Sequence, residues 1–204
     1  DLSTDGNQPM SSNSNRYIIT YNGEIYNYLE LKEELIQQGH NFKTSSDTEV
    51  LLTSIDHWGL DIALKKFVGM FAFAIYDKKL NELTLVRDRF GEKPIYYSNL
   101  NDNLIFGSEL KALKAHPAWV GRINKDSLNL YLKYSYVPSP KSIYKDVYKV
   151  NPGSYVKFKI NNNQCKEVLK KKWYNIQSTV EPFKGTYSEA VEITETLINK
   201  SINY

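Results

Sequence analysis

Apolar positions in this chain fall into strand-like and helix-like runs separated by polar, glycine-bearing breaks. Tyr17–Tyr21 (YIITY) reads as a buried strand that stops at Asn22-Gly23, a pair that signals a tight turn needing positive φ. From Asn27 to Gln38 the period lengthens. Tyr28, Leu31 and Leu35 share one face of a predicted helix, with Asn27 as its N-cap, Glu30 at its third position and Gly39 as its stop. After an extended piece, His40–Thr44, Ser46 and Glu49 stand at capping-box spacing and open a second helix with Leu51, Ile55 and Trp58 on one face.

Gly69–Asp77 (GMFAFAIYD) is apolar on both faces, the pattern of a strand held between two layers. Lys78–Glu82 turns the chain and Leu83–Arg87 returns as a hairpin partner. Ile95–Ser98 and Leu104–Ser108 make a second hairpin across the Asn101-Asp102-Asn103 turn, and Glu109–Ala115 begins a short helix. Asn124–Tyr134 is helical in pattern and Tyr136–Lys141 is a proline-punctuated loop. Gly153–Ile160 and Cys165–Trp173 form a last hairpin. Asn175–Thr186 reads as a linker, and Ser188 caps a fresh amphipathic helix running to Ile202. Hairpins flanked by amphipathic helices, with no strand–helix–strand glycine fingerprint, predict an α+β layered domain.

Composition narrows the partners. With 204 residues, 41% of them hydrophobic, the chain can bury one substantial core. A net charge of +3 is too mild to argue for nucleic acid, and Lys170-Lys171-Lys172 reads as a solvated strand end. The longest apolar run, Phe67–Tyr76, is about half of what a bilayer requires, so no membrane partner is expected. A single cysteine excludes an internal disulfide and suits a reducing cytoplasmic setting. The chain opens at Asp1 with a polar, Ser- and Asn-rich stretch, and reads as a fragment entered in mid-domain.

Candidate chemistry is sparse. Asn22-Gly23 taken alone is an ordinary turn, yet a strand halting there also leaves backbone N–H groups beside a side-chain amide, an arrangement able to hold an oxyanion. Asp47, in the first turn of a helix, is either a dipole-capping carboxylate or an acceptor for a substrate ammonium. Arg87-Asp88-Arg89 reads as a structural salt-bridge knot. His40, His57 and His116 lie far apart in sequence without cysteine or carboxylate at ligand spacing, so no metal is expected. Cys165 reads as an ordinary strand residue.

Five ordered motifs carry a resemblance: YNGEIYN (Tyr21–Asn27), SSDTEVLL (Ser45–Leu52), GMFAFAIYD (Gly69–Asp77), RDRFGEKPIYY (Arg87–Tyr97) and GSELKAL (Gly107–Leu113). Their order and spacing resemble the glutaminase domain of glutamine-hydrolysing asparagine synthetases, which are class II glutamine amidotransferases. The Val137–Tyr155 stretch is more typical of these than of relatives acting on sugar phosphates or phosphoribosyl substrates. The resemblance implies a four-layer α/β/β/α N-terminal-nucleophile hydrolase sandwich. In that fold an N-terminal cysteine attacks the glutamine amide, a thioester forms, ammonia leaves and water regenerates the enzyme. By resemblance Asn22 and Gly23 form the oxyanion hole, Glu24 is the third residue of the glutamine-contacting loop, and Asp47 pairs with the glutamine α-ammonium. Arg87–Pro94 is carried over as structural.

The same resemblance implies a layout. Residues 1–174 would be an amidotransferase domain incomplete at its N-terminus, 175–186 a linker, and 187–204 the first helix of an ATP-dependent synthetase domain. The cysteine nucleophile with its α-amino base and the carboxylate-binding arginine fall outside the sequence, so the fragment itself is expected to be inactive. No cofactor is expected in these residues; ATP and Mg²⁺, with aspartate as acceptor, belong to the intact protein. Two alternatives stay open, an amidotransferase with another acceptor such as a sugar and a non-catalytic glutamine-binding or interaction module. A homodimer is likewise open.

Overall fold

A computed structural model describes residues 4–100, 103–161 and 164–203, except for the side chains of Asp5 and Leu100. The chain divides into two units at Tyr174/Asn175. In the first, strands β1 (Met10–Ser11), β2 (Tyr17–Ile25), β3 (Gly69–Asp77), β4 (Glu82–Arg87), β8 (Ser154–Asn161) and β9 (Gln164–Lys172) form one antiparallel sheet in the order β1-β2-β3-β4-β8-β9. A second antiparallel sheet has the order β6-β5-β7, from β5 (Tyr96–Leu100), β6 (Asn103–Gly107) and β7 (Tyr148–Lys149). The Asn101-Asp102 and Asn162-Asn163 turn positions lie outside the described residues.

The two faces of β3 explain the layering. Phe71, Phe73 and Ile75 point to one side, where Leu31 and Leu35 of α1 (Tyr28–Gln37), Leu51 and Ile55 of α2 (Asp47–Trp58) and Leu64 of α3 (Leu60–Lys66) close over them. Ala72 and Ala74 point the other way, and their small side chains admit Ile95 and, from the second sheet, Tyr97 beside Phe158. Beyond that sheet, Leu113 of α4 (Leu110–Lys114) packs on Ile105 and Val147. Helices, sheet, sheet and helix thus stack in four layers, each burying one apolar face against the next. Next in the chain comes α5 (Lys125–Tyr134), and α6 (Tyr187–Ile202) belongs to the second unit.

Several local expectations are corrected. Asn22-Gly23 is no turn: β2 runs straight through it, with Asn22 opposite Ala72 and Gly23 opposite Phe71. The glycine answers to a close approach. A Cβ at Gly23 would stand 2.6 Å from Phe71 Cα and closer still to Met70 O. Asn27 precedes α1 but does not cap it with its side chain, which instead donates to Lys66 O and accepts the Val68 N–H, joining α1 to the end of α3. Ser46 caps α2 through the Thr48 N–H, while Glu49 turns away to accept the Lys43 and Thr44 N–H groups, so the reciprocal box does not close. The cap of α6 is Thr186, not Ser188, and there the full box with Glu189 forms. Helix α3 went unread because Gly59, at φ +79°, restarts a helix after a break of one residue.

Candidate functional site

Backbone direction along β2 sets the site. Phe71 donates its N–H to Asp88 Oδ2 at 3.2 Å and accepts the Asp88 N–H at 2.8 Å, so its polar groups face away from β2. In an antiparallel ladder that makes Gly23–Phe71 a non-hydrogen-bonded pair, and it turns the N–H of every odd-numbered β2 residue toward the opposite edge. The partners there agree: Tyr17 N–H meets Ser12 Oγ at 3.1 Å, Tyr21 N–H meets Gln8 Oε1 at 2.5 Å, and Ile25 N–H meets Asp47 Oδ2 at 3.0 Å. Between the last two sits the Gly23 N–H, which has no partner among the described residues.

Asp47 is held in place from two sides. Its Oδ2 accepts the Ile25 N–H and, at 2.6 Å, the Tyr21 hydroxyl. Burial, and then the carboxylate itself, push the Tyr21 phenol far up, so it remains a donor. No hydrogen bond falls on Asp47 Oδ1 among the described residues. The ammonium-acceptor candidate and the open Gly23 N–H therefore share one strand edge. Two residues of strand, about 6–7 Å, separate the Gly23 and Ile25 nitrogens.

Asn22, one residue out of phase, points from the sheet face instead. Its amide nitrogen donates to Ser108 Oγ at 3.1 Å, and both residues line a cavity of about 240 Å³ between the sheets with Thr20, Ala72, Ile95 and Phe106. Glu24, on the same face as Asn22, is exposed and opposite Met70. A larger cavity, about 560 Å³, lies against Tyr97, Lys149, Val156 and Lys170 and contains none of these groups.

The structure thus brings Asn22, Gly23, Glu24 and Asp47 into one neighbourhood. It adds three residues that sequence reasoning passed over: Tyr21, which holds Asp47; Gln8, which ties down the strand edge; and Ser108, which meets Asn22 from 86 positions away. Tyr21 and Ser108 were within quoted motifs, but no local spacing ties either to its partner.

The Arg87-Asp88-Arg89 run is structural, though not through ion pairs between its members. Asp88, 1% exposed, accepts five backbone N–H groups, from Phe90, Gly91 and Glu92 on Oδ1 and from Phe71 and Lys93 on Oδ2. Arg87 donates to the carbonyls of Gly91, Lys93 and Val150 and to Ser139 Oγ; Arg89 donates to those of Lys65 and Phe67 and lies over the Trp173 and Tyr174 rings. These bonds lash the loop after β4 to the start of β3, next to the strand that carries Gly23.

Cys165, buried on β9, stands four strands from β2 in the sheet order, a separation of about 19 Å at ordinary strand spacing. It cannot reach the Gly23 edge. The histidine expectation is corrected: His40 Nε2 and His57 Nδ1 lie 3.0 Å apart. Among the described residues no group of three or more His, Cys, Asp or Glu is placed to hold a metal, and no helix is long and apolar enough to cross a membrane.

Two facing antiparallel sheets between helical layers form the four-layer sandwich of the N-terminal-nucleophile hydrolase fold. Solved structures share this fold. They include the glutamine phosphoribosylpyrophosphate amidotransferase of B. subtilis (TM-score 0.56, 23% identity, 82% of this chain and 32% of that one). A second is described as the allosteric regulatory enzyme of purine biosynthesis (TM-score 0.58, 24% identity, 83% and 32%). The chain belongs to the glutamine amidotransferase domain family, whose description matches residues 1–174. Among curated relatives, the glutamine-hydrolyzing asparagine synthetase 1 of Bacillus subtilis is 45% identical over 149 residues, covering 73% of this chain and 23% of the relative. The putative asparagine synthetase 2 of Methanocaldococcus jannaschii is 36% identical over 215 residues, covering 95% and 41%. The chain therefore spans between about a quarter and two-fifths of the length of these relatives.

Proposed function

We propose that this chain is the glutamine-binding part of an asparagine synthetase, in which glutamine yields the ammonia that amidates aspartate. The observation that carries the reading is the shared edge of β2: a Gly23 N–H with no partner among the described residues, two residues along the strand from Ile25, whose N–H together with the Tyr21 hydroxyl fixes the Asp47 carboxylate. A glutamine laid along this edge puts its α-ammonium on Asp47 Oδ1. Its side-chain carbonyl, four bonds further along, then reaches the Gly23 N–H.

When a nucleophile adds to that carbonyl, negative charge collects on its oxygen. The Gly23 N–H and the Asn22 amide, freed from or shared with Ser108, stabilise it; one such donor is worth about 3–4 kcal/mol in the transition state. Glu24, the next residue of the same strand, is the further glutamine contact. The nucleophile is not Cys165, the single cysteine of the 204 residues, so the chain by itself binds glutamine without hydrolysing it. ATP, Mg²⁺ and aspartate would be handled by other parts of the intact protein. The curated relatives named as asparagine synthetases support that acceptor.

Titrating glutamine into the chain while following backbone amide NMR shifts tests the reading. Shifts should centre on Gly23, Ile25 and Asp47, be weakened at least about tenfold by Asp47→Asn, and be accompanied by no ammonia release. Glutamine-dependent ammonia from the pure chain, or equal binding by Asp47→Asn, would remove the assignment. For the acceptor, the protein carrying this chain should form asparagine from aspartate, ATP and glutamine; amidation of a different acceptor would replace that part alone.

A further inference from the structure

His40 and His57 lie outside the glutamine edge, and the fold brings them together for no purpose that edge requires. His40 follows the end of α1, directly after Gly39 at φ +89°; His57 lies in the last turn of α2. Their facing nitrogens are 3.0 Å apart, with ring planes at 84° and centroids 4.8 Å apart. His57 is exposed and His40 half-buried, so the pair opens to solvent.

We propose that this pair is a two-imidazole chelate for a tetragonal divalent ion, of the Cu²⁺ or Ni²⁺ class, with water completing its coordination. With metal–nitrogen bonds of about 2.0–2.1 Å, nitrogens kept near their present 3.0 Å separation subtend about 90–97° at the ion. That is the cis angle of square-planar or octahedral coordination. A tetrahedral ion would need the nitrogens about 3.4 Å apart and further protein ligands, and among the described residues no third His, Cys, Asp or Glu completes the group. Imidazole nitrogens suit copper and nickel, and copper lies at the top of the divalent affinity order. The ion would replace the shared proton and sit off the nitrogen–nitrogen line. Both rings reorient about their side-chain bonds to turn these nitrogens toward the ion, the exposed His57 on the ps–ns scale.

Because the ligands stand 17 residues apart and meet only when α1 and α2 are packed, the ion binds the folded chain in preference to the unfolded one and raises its melting temperature. Cu²⁺ alone, titrated into the chain with calorimetry, electron paramagnetic resonance and thermal melts, tests this. Expected are one equivalent bound, hyperfine coupling to two nitrogens and a raised Tm. His40→Ala and His57→Ala should each weaken binding at least about tenfold and cancel the Tm rise, with the double variant as background. Neither side chain belongs to the buried core, and circular dichroism verifies that the variants fold. Absence of stoichiometric binding, or unchanged binding in either variant, would overturn the site. Zn²⁺ bound as tightly as Cu²⁺ would overturn the tetragonal assignment.

Discussion

The Tyr21 hydroxyl donates to Asp47 Oδ2 at 2.6 Å, and the same oxygen accepts the Ile25 N–H at 3.0 Å. One strand therefore both presents the open amide at Gly23 and positions the carboxylate that stands two residues away. Asp47 comes from a helix 22 positions later than Ile25, so its pose depends on this pair of bonds.

Replacing Tyr21 with Phe deletes the hydroxyl and keeps the ring, which packs against the core below α2. A hydrogen bond to a charged acceptor is worth about 1.5–3 kcal/mol, and the variant should lose stability of that order in urea unfolding. Glutamine affinity should fall several-fold because Asp47 keeps only the Ile25 contact. A Tyr21→Phe chain with unaltered glutamine titration would show that Asp47 needs no such support.

Tyr17, Tyr21, Tyr26, Tyr97 and Tyr155 are all pushed upward, in each case first by burial. Above pH 10 the unfolded chain gives up phenol protons that the folded chain retains, so the folded state binds more protons there. Stability is then fully present below about pH 10 and declines as pH rises beyond it. Urea midpoints between pH 8 and 11.5 should show the fall, with Tyr21→Phe declining less steeply than the parent. A flat profile would contradict the burial of these rings.

Gly23→Ala probes the closeness of β2 and β3. The added methyl would meet Met70 O and Phe71 Cα inside contact distance, backbone of β3 rather than the far end of a flexible side chain. Overpacking of this kind costs about 3 kcal/mol or more. Thermal melts should show a large loss for Gly23→Ala and a smaller one for Gly39→Asn, where an added Cβ meets nothing within 4 Å and the φ of +89° alone strains the side chain.

Asp88 is the acceptor for five N–H groups at once. Asp88→Ala strands the buried Phe71 N–H and four partly buried donors and should destabilise the fold strongly. Asp88→Asn keeps the shape but turns an N–H₂ toward N–H groups, and should cost about 3 kcal/mol. Amide hydrogen exchange at Phe90–Lys93 gives a direct check: those protons should lose protection in Asp88→Asn before the core strands do.

Much of this protein was determined by the sequence alone. Period and composition placed β3, β4, β8, β9, α1, α2 and α5 to within a few residues, and the double-sided apolar pattern of Gly69–Asp77 already demanded a layer on each face. These are features of neighbouring residues, where side-chain polarity decides which face meets water. The candidate site could be named from the sequence as residue types, Asn22, Gly23, Glu24 and Asp47, but not as geometry. Asn-Gly reads locally as a turn because glycine tolerates positive φ; only pairing with Phe71 reveals that this glycine is there for want of room. Likewise the charges of Arg87-Asp88-Arg89 suggested mutual pairing, whereas burial among unpaired carbonyls and amides sent each to the backbone. His40 meeting His57, Ser108 meeting Asn22, and Tyr21 meeting Asp47 are long-range contacts that no periodicity encodes. They exist because the helices and the second sheet must close over β2 and β3 to bury their apolar faces, and closure brings together whatever polar groups those elements carry at their edges.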